Sequence, residues 1–311
     1  MVQDYSIHLQ GVEKTFLGLD SPAVESLTTV IHGGSVTGLV GPDGAGKTTL
    51  MRMLAGLLKP DPGNISIMGL DPIKDSIEVR ANLGYMPQKF GLYEDLTVQE
   101  NLDLYADLRG VIGEERQQTY KQLLAFTSLA PFTARLAGKL SGGMKQKLGL
   151  ACTLLGKPKV LLLDEPGVGV DPIARRELWQ MVHTLADDGM LILWSTSYLD
   201  EAQQCKEVLL LNKGKLLYSG EPEKLTQHMA GRSFLLDVPA TKKRTILQDA
   251  LVLPETTDGV IQGRYIRLIL KPDASQENLL NALNMGQQKL LPAEPRFEDA
   301  FIDLLGGGPS H

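Results

Sequence analysis

The chain has 311 residues, a length that predicts two domains, and its 43% hydrophobic and 22% charged residues are typical of globular proteins. Basic residues number 31 against 37 acidic ones, so the formal charge is -6 and a nucleic-acid partner is not expected. With no apolar run of about 18 residues, no signal-peptide pattern and two isolated cysteines, Cys152 and Cys205, we expect an intracellular protein whose thiols are reduced and structural.

The first two thirds of the chain alternate short apolar runs with helical patterns, which predicts an α/β fold with a largely parallel sheet. A short β-rich run predicts a strand at 36–40, before a glycine-rich loop. Continuous apolar runs are typical of strands covered on both faces, and they predict strands at 160–163, 191–194 and 208–211. A hairpin turn is predicted at 212–215. The pattern between 93 and 155 is mostly helical, so we expect a helical insertion, at about 90–155, to one side of the sheet.

The pattern changes near residue 220, and we predict a first domain at 1–230 followed by a smaller domain at 231–311. In the smaller domain, strands are predicted at 233–238 and 265–270, and helices at 243–251 and 278–283. This order of elements indicates an α+β domain. The last residues, 306–311, are rich in glycine and predict a flexible tail.

Residues 41–48 fit the pattern G-x-x-x-x-G-K-[ST], with a predicted strand before them and a helical pattern after them. Glycines let backbone N–H groups curl around an anion, and the start of the following helix adds its positive end. Lys47 is expected to reach the β- and γ-phosphates, and the Thr48 hydroxyl to bind Mg²⁺. The sequence therefore predicts a nucleoside triphosphate site made by Gly41, Pro42, Asp43, Gly44, Ala45, Gly46, Lys47, Thr48 and Thr49.

Two carboxylates, Asp164 and Glu165, directly follow the apolar run at 160–163 and so lie at the end of a predicted buried strand. In this position behind a phosphate loop, Asp164 can hold the Mg²⁺ shell and Glu165 can polarise an attacking water. A GTPase would carry a base-reading Asn/Thr-Lys-x-Asp motif, and the sequence contains none.

Residues 140–147, Leu-Ser-Gly-Gly-Met-Lys-Gln-Lys, resemble the signature motif of the ATP-binding cassette (ABC) proteins. Phe16 resembles the aromatic residue that this family places against adenine, Gln88 resembles its Q-loop, and residues 169–172 resemble its D-loop. The resemblance covers about residues 5–225. It implies a P-loop ABC-ATPase cassette with a RecA-like core and a helical insertion, followed by the small α+β appendage of drug-resistance-type cassettes. ATP and Mg²⁺ are the implied cofactors.

The resemblance also implies a site that is shared between two cassettes. Ser141, Gly142 and Gly143 form an anion-binding helix start, which in ABC proteins contacts the γ-phosphate held by the opposite cassette. A monomer is therefore expected to bind ATP but to hydrolyse it poorly. By the same resemblance, Gln88 acts in catalysis and at the metal, and Asp171 takes part in nucleotide binding.

Two positions depart from the family pattern. Asp43 stands where the family usually has Asn, and we expect this extra negative charge to point away from the phosphates. Ser197 stands where the family has the switch histidine that positions the attacking water. Serine offers one hydrogen-bond donor and no positive charge, and losing such a donor typically slows a reaction by about 10²–10³. With Ser197 as the catalytic residue here, we expect the chain's own ATP site to be slow or degenerate.

Residues 193–202 and 295–302 resemble the N-terminal half of tandem, two-cassette ATPases that serve ABC-2 exporters. The second cassette is then the other half of such a protein or, alternatively, a second copy of this chain. Residues 90–102 resemble the segment that contacts integral membrane permease subunits. This contact implies a peripheral protein at the cytoplasmic face of the inner or plasma membrane.

The sequence thus predicts the ATPase subunit of an ABC exporter that drives a substrate, such as a drug, through separate membrane chains. Two alternatives stay open. One is a non-transport ABC protein acting on ribosomes or DNA, although the charged linker or long coiled coils of such proteins are missing. The other is a regulatory ATP-binding module with little turnover, which Ser197 favours.

Overall fold

A computed structural model describes residues 5–286 and 288–306, and these divide into two units. The first unit contains the described residues up to Glu201 and the segment Cys205–Ser219. The second contains Ala202–Gln204 and the described residues from Gly220 onward. The tail predicted at 306–311 lies outside the described residues from residue 307.

The first unit and its border carry nine strands and seven helices within the described residues. In chain order they are strands β1 Ser6–Lys14, β2 Val24–His32 and β3 Ser35–Val40, helix α1 Lys47–Leu54, strand β4 Asn64–Ile67, helix α2 Ser76–Asn82, strand β5 Leu83–Met86, helices α3 Val98–Arg109, α4 Gly113–Phe126 and α5 Gly142–Leu154, strand β6 Val160–Asp164, helix α6 Pro172–Asp187, strand β7 Leu191–Thr196, helix α7 Leu199–Ala202, and strands β8 Glu207–Asn212 and β9 Lys215–Gly220.

A six-stranded sheet forms the centre of this unit, in the order β5-β6-β7-β3-β8-β9. All neighbours from β5 to β8 run parallel, as predicted. β6 and β7 are buried along their whole length, which explains why their sequences are continuously apolar. The turn predicted at 212–215 joins β8 to β9, which are neighbours in the sheet.

A three-stranded antiparallel sheet, ordered β2-β1-β4, shares the hydrophobic core and was not predicted from the sequence. Ile7 of β1 pairs with Ile31 on one side and Ile67 on the other, and all three are buried. A register shift between Leu9 and Val12 interrupts the alternation of buried and exposed side chains along β1. This interruption hides the two-residue period that would have indicated a strand.

The stretch from 93 to 155 contains α3, α4 and α5 and, within the described residues, no strand, as predicted. α3 begins with a capping box. The Thr97 hydroxyl accepts from the Glu100 N–H, and the Glu100 carboxylate accepts from the Thr97 N–H. This paired cap fixes where α3 starts inside the segment 90–102.

The second unit is an α+β domain. Its elements in chain order are α8 Pro222–Gln227, β10 Ser233–Asp237, α9 Lys243–Leu251, β11 Thr256–Gln262, β12 Tyr265–Leu270, α10 Gln276–Ala282, β13 Leu291–Pro292 and α11 Phe297–Leu304. The sheet order is β11-β12-β10-β13, with antiparallel pairing throughout. β10, β12, α9 and α10 were predicted, whereas β11 and α11 were not. α8 packs against α11, so the division of the chain falls earlier than the boundary expected at residue 230.

A buried ion pair joins α11 to this sheet. Arg267 on β12 is 4% exposed and Asp299 on α11 is 3% exposed. Arg267 Nε donates to Asp299 Oδ1 at 3.1 Å, and the Ser233 hydroxyl donates to Asp299 Oδ2 at 2.8 Å. Arg267 Nη2 also donates to the Glu294 carbonyl oxygen at 2.6 Å. The two charges therefore depend on each other, because neither reaches water.

Arg267→Ala is expected to lower the free energy of unfolding of the second unit by about 3–5 kcal/mol, because the Asp299 carboxylate would remain buried without its cation. Chemical denaturation of the full chain, followed by circular dichroism, measures the change. Arg264→Ala is the matched control, since Arg264 pairs with Asp237 at the exposed surface and its loss should leave the midpoint unchanged. Equal midpoint shifts in the two variants would contradict this role for the buried pair.

None of the described helices is both long and apolar enough to cross a membrane. Cys152 and Cys205 are buried and are not joined to each other. Burial raises the pKa of each thiol well above its ordinary value. Both thiols therefore stay protonated and inert, as expected of structural cysteines.

Candidate nucleotide-binding site

The phosphate loop joins β3 to α1 and is held tightly by its surroundings at two glycines. A Cβ at Gly41 would lie 2.2 Å from the Leu211 carbonyl oxygen. Gly46 has a φ of 106°, and a Cβ there would lie 2.2 Å from the Ala23 carbonyl oxygen. These approaches require glycine at both positions. The loop so formed leads into the N-terminus of α1, whose N–H groups and dipole favour an anion.

A cavity of about 530 Å³ lies over this loop. The predicted site residues that line it are Phe16, Asp43, Gly44, Ala45, Gly46, Lys47, Thr48, Thr49, Gln88 and Glu165. The structure therefore brings together the phosphate loop, the aromatic residue, the Q-loop residue and one of the two strand-end carboxylates. Phe16 is 39% exposed, so part of its ring is available to stack on a base.

Lys47 is 4% exposed and its ammonium group is fully surrounded by acceptors. Nζ donates to the carbonyl oxygens of Gly41 at 2.7 Å and Pro42 at 3.1 Å, and to Ser197 Oγ at 2.8 Å. It also lies 3.1 Å from Glu165 Oε1. A phosphate that enters the loop has to compete with the Glu165 carboxylate for this cation.

Glu165 is held by three neighbours besides Lys47. Its Oε2 accepts from Gln88 Nε2 at 2.7 Å, and its Oε1 accepts from Ser197 Oγ at 3.0 Å. Its own N–H donates to Ser195 Oγ at 3.0 Å. The backbone of Glu165 lies in the left-handed region, with a φ of 51°, which is a strained conformation often found at functional sites. This turn places the carboxylate at the cavity wall, where it can accept a proton.

Asp164 is 1% exposed, and its Oδ1 accepts from Ser195 Oγ at 2.6 Å. Among the described residues its Oδ2 has no hydrogen-bond partner, although it is buried. A buried carboxylate oxygen of this kind is costly, and a hard cation such as Mg²⁺ would satisfy it. Thr48 and Gln88 line the adjacent cavity and offer further oxygen ligands. The residues present therefore fit Mg²⁺, which Thr48, Gln88 and Asp164 would hold.

Ser195 is a site residue that was not predicted from the sequence. It is fully buried, and its hydroxyl links Asp164 Oδ1 to the Glu165 N–H. The parallel register pairs Asp164 directly with Ser195. The sequence does contain an indication of this role, because Ser195 is the polar residue that follows the apolar run at 191–194. Neighbouring parallel strands end at the same edge of a sheet, which places Ser195 beside Asp164.

Ser197 lies between two carboxylates, and this arrangement corrects the expectation for Asp43. Ser197 Oγ is 3.2 Å from Asp43 Oδ1 and 3.0 Å from Glu165 Oε1. Its single proton can be donated to one of them at a time. The Asp43 side chain thus faces the site rather than pointing away from it, because the serine hydroxyl supplies a neutral donor there.

The turn at Ser141–Gly143 lies outside the phosphate-loop cavity. Ser141 and Gly142 are exposed, and Ser141 Oγ caps α5 by accepting from the Met144 N–H at 3.3 Å. A Cβ at Gly142 would lie 2.9 Å from the Gly169 carbonyl oxygen, so the turn packs closely on the segment that follows Glu165. The turn presents a helix start to the surface, where it can meet an anion held elsewhere.

Asp171, also predicted to contact nucleotide, does not line the cavity. Its Oδ1 accepts from the N–H groups of Ile173 and Ala174 at 3.0 Å each, and so caps α6. The hydrogen bond from Ala174 has the largest effect, and together with the one from Ile173 it holds the pKa of the carboxyl below its usual value. Asp171 is therefore ionised at neutral pH. Within one chain, the structure therefore separates the signature turn and Asp171 from the phosphate loop.

A family model described as "ABC transporter" matches residues 24–168. The probable multidrug ABC transporter ATP-binding protein YbhF of Escherichia coli is 68% identical over 306 residues, which are 98% of this chain and 53% of that protein. The daunorubicin resistance ATP-binding protein DrrA3 of Streptomyces coeruleorubidus is 32% identical over 311 residues, 97% of this chain and 96% of that protein. The chain thus spans about half the length of the first relative and nearly all of the second.

Solved structures resemble the chain as well. One, described as the ATP binding subunit of an ABC transporter, has 29% identity and a TM-score of 0.64, covering 71% of this chain and 92% of that one. The dimeric post-hydrolysis state of the ATP-binding cassette MJ0796, bound to ADP and Pi, has 25% identity and a TM-score of 0.62, covering 69% of this chain and 98% of that one. The predicted P-loop cassette fold is confirmed. The chain belongs to the ATP-binding proteins of ABC transporters.

Proposed function

We propose that the chain binds and hydrolyses ATP as the nucleotide-binding subunit of an ABC exporter, and couples turnover to efflux through separate membrane subunits. The observation that carries this proposal is the contact of Glu165 with Lys47, Gln88 and Ser197 at the phosphate-loop cavity. A drug as the exported substrate is supported by the relatives named for multidrug transport and daunorubicin resistance.

The contacts of Lys47 and Glu165 support a role for each residue when ATP binds. Lys47 exchanges the Glu165 carboxylate for the triphosphate, which carries more negative charge. Without the contact to Lys47, Glu165 Oε1 can accept a proton from the attacking water. Gln88 Nε2 fixes the orientation of the carboxylate through Oε2. Thr48, Gln88 and Asp164 would hold Mg²⁺, which when bound would supply positive charge to the phosphate oxygens.

A second cassette completes the site in this proposal. Ser141 and Gly142 of the signature turn are exposed, whereas Gly143 is buried. The turn lies outside its own cavity, so its exposed part suits contact with a nucleotide held by another cassette. A tandem partner is supported by the relative of about twice this length, and a second copy by the relative of equal length. Dimerisation of the purified chain with ATP, measured by light scattering, would support the second copy. If the chain stays a monomer and its ATP turnover rises only when the other half of a tandem protein is added, that result would support the tandem partner.

Permease subunits are proposed to dock at the segment 90–102 and at a groove of about 300 Å³ whose lining includes Leu108 of α3, the helix in which this segment ends. Leu57 and Leu108 line this groove and are 62% and 72% exposed, and Tyr93 in the segment is 57% exposed. Exposed apolar groups beside a groove are typical of interaction sites. Docking here would hold the chain peripherally at the cytoplasmic face of the membrane. The excess of acidic over basic residues argues against a nucleic-acid partner.

Tyr93→Ala is expected to reduce substrate transport by about 10-fold in vesicles that contain the permease pair, because aromatic anchors dominate interface energies. ATP turnover should change far less, since Tyr93 does not line the phosphate-loop cavity. Transport and phosphate release are measured on the same vesicles. Val260→Ala is the control, since Val260 is 55% exposed in the second unit. Equal loss of transport and turnover would count against this docking site.

A regulatory ATP-binding module with little turnover is a second candidate, favoured by Ser197. Its hydroxyl is neutral and already engaged by Lys47 and Glu165, so it offers less to a transition state than a cationic donor. Measuring ATP binding and phosphate release by the purified chain, alone and with its membrane partners, separates the two functions. Phosphate release that rises with the partners supports the exporter, whereas binding without release supports the regulatory module.

A further inference from the structure

The segment that follows Glu165, residues 166–171, is enclosed by side chains that the mechanism above does not use. A Cβ at Gly167 would lie 2.4 Å from Glu201 Oε1 and 3.3 Å from Arg175 Cδ. The Glu201 carboxylate and the stem of Arg175 therefore both lie close to Gly167, on the same side of its backbone. The same segment contacts the signature turn on another side, through Gly142 and the Gly169 carbonyl oxygen.

Glu201 is a buried carboxylate with one oxygen unmatched. It is 2% exposed, and its Oε2 accepts from Trp194 Nε1 at 3.0 Å. Among the described residues its Oε1 is buried and has no hydrogen-bond partner. The nearest cationic group is Arg175 Nη1, at 3.8 Å. A buried charge is costly unless it is paired, so a shorter contact with Arg175 would be favourable.

Arg175 is held loosely enough to make that contact. Its Nη2 is 3.4 Å from Asp200 Oδ2, and its Cζ is 5.4 Å from the centre of the Tyr198 ring. Charge-assisted hydrogen bonds between arginine and carboxylates usually span about 2.7–2.9 Å, so both carboxylate contacts of Arg175 are long. A shift of roughly 1 Å would close the guanidinium on Glu201 and bring its stem against Gly167.

We propose that Arg175 and Glu201 are positioning residues that clamp Gly167 and thereby set the position of Glu165 for hydrolysis. This inference rests on the proposed ATPase function. Gly167 is two residues from Glu165, so a shift of its backbone displaces the carboxylate that accepts the proton. Because Gly142 contacts the same segment, the clamp also links the signature turn to Glu165 of the same chain. Engagement of the signature by a second cassette is thus transmitted to this chain's own site.

Glu201→Gln and Arg175→Ala test the clamp by steady-state ATP hydrolysis of the full chain assembled with its partner cassette. Each is expected to lower kcat by about 10-fold with KM for ATP unchanged, because a small displacement of a reacting group costs rate rather than binding. The double variant should be no slower than either single one, since the two residues act as a pair. Arg175→Lys, which keeps the charge, should recover part of the rate.

Controls separate positioning from folding. Glu201→Gln keeps the size of the side chain and an acceptor for Trp194, so the fold is expected to persist. Arg176→Ala is the matched control, because Arg176 is exposed and its Nε donates to the Pro172 carbonyl oxygen of its own helix. This variant should keep the wild-type kcat.

Tryptophan emission gives a readout that does not depend on turnover. The chain has two tryptophans, and Trp179 and Trp194 stack at 4.1 Å beside Glu201. ATP with Mg²⁺ should change their emission in the wild type, and Glu201→Gln should remove the change while a fluorescent ATP analogue still binds. The clamp would be overturned if Glu201→Gln kept the wild-type kcat or the wild-type change in emission. It would also be overturned if the losses of kcat in the two single variants multiplied in the double variant. A wild-type chain that binds no ATP would overturn the proposed function, and this inference with it.

Discussion

Replacing Glu165 with Gln is expected to lower ATP turnover by about 10²–10⁴ and, at the same time, to tighten ATP binding. Turnover falls because an amide cannot accept the proton of the attacking water. Binding tightens because the Glu165 carboxylate lies 3.1 Å from Lys47 Nζ and competes with the triphosphate for that cation. A neutral amide competes less, and it removes a negative charge from the cavity wall that faces the phosphates.

Steady-state phosphate release measures the first effect of Glu165→Gln, and equilibrium binding of a fluorescent ATP analogue measures the second. The matched control is Glu177→Gln, which makes the same change at an exposed glutamate that pairs with Lys147 away from the cavity. It should leave both quantities unchanged. Weaker ATP binding by Glu165→Gln would contradict the exchange of partners by Lys47, and intact turnover would exclude Glu165 as the proton acceptor.

Ser197→His is expected to raise ATP turnover of the assembled cassette pair by about 10²–10³, the usual gain from one donor to a developing negative charge. The serine hydroxyl is short, and its single proton is shared between Glu165 and Asp43. An imidazole reaches further from the same backbone position and can carry a positive charge. It would also displace the hydroxyl from Lys47, which leaves that ammonium group freer to bind phosphate.

Turnover is compared among wild type, Ser197→His and Ser197→Ala under conditions that saturate with ATP. Ser197→Ala controls for simple loss of the hydroxyl, and it should not be faster than wild type. If Ser197→His shows wild-type turnover, the missing histidine does not limit the site. That result would contradict the expectation of a slow or degenerate site at this chain's own phosphate loop.

The parts of the site that depend on short sequence spacing could be predicted. Residues 41–48 fix a strand, a loop and a helix start within one stretch of chain, so their geometry follows from local rules. Asp164 and Glu165 were found because a buried parallel strand places the residues after it at the ligand-binding edge of the sheet. The helices and strands of the second unit were found in part, since α9 has a helical spacing of apolar residues and β12 is a short run rich in apolar residues.

The parts that depend on long-range contacts could not be predicted. The antiparallel sheet of β1, β2 and β4 has a register shift that hides its period. The orientation of Asp43 depends on Ser197, which is 154 residues further along the chain. The Arg175–Glu201 contact likewise depends on how α6 packs beside α7, and no sequence pattern pairs the two residues.

The central claim is that one cassette supplies the phosphate loop and another supplies the signature turn of each ATP site. The most direct measurement is the structure of the Glu165→Gln protein bound to ATP and Mg²⁺ together with its partner cassette. The claim predicts that Ser141 Oγ and the N–H groups of Gly142 and Gly143 lie within hydrogen-bond distance of a γ-phosphate held by the neighbouring cassette. A γ-phosphate enclosed by a single chain, with these three residues turned away from every nucleotide, would contradict it.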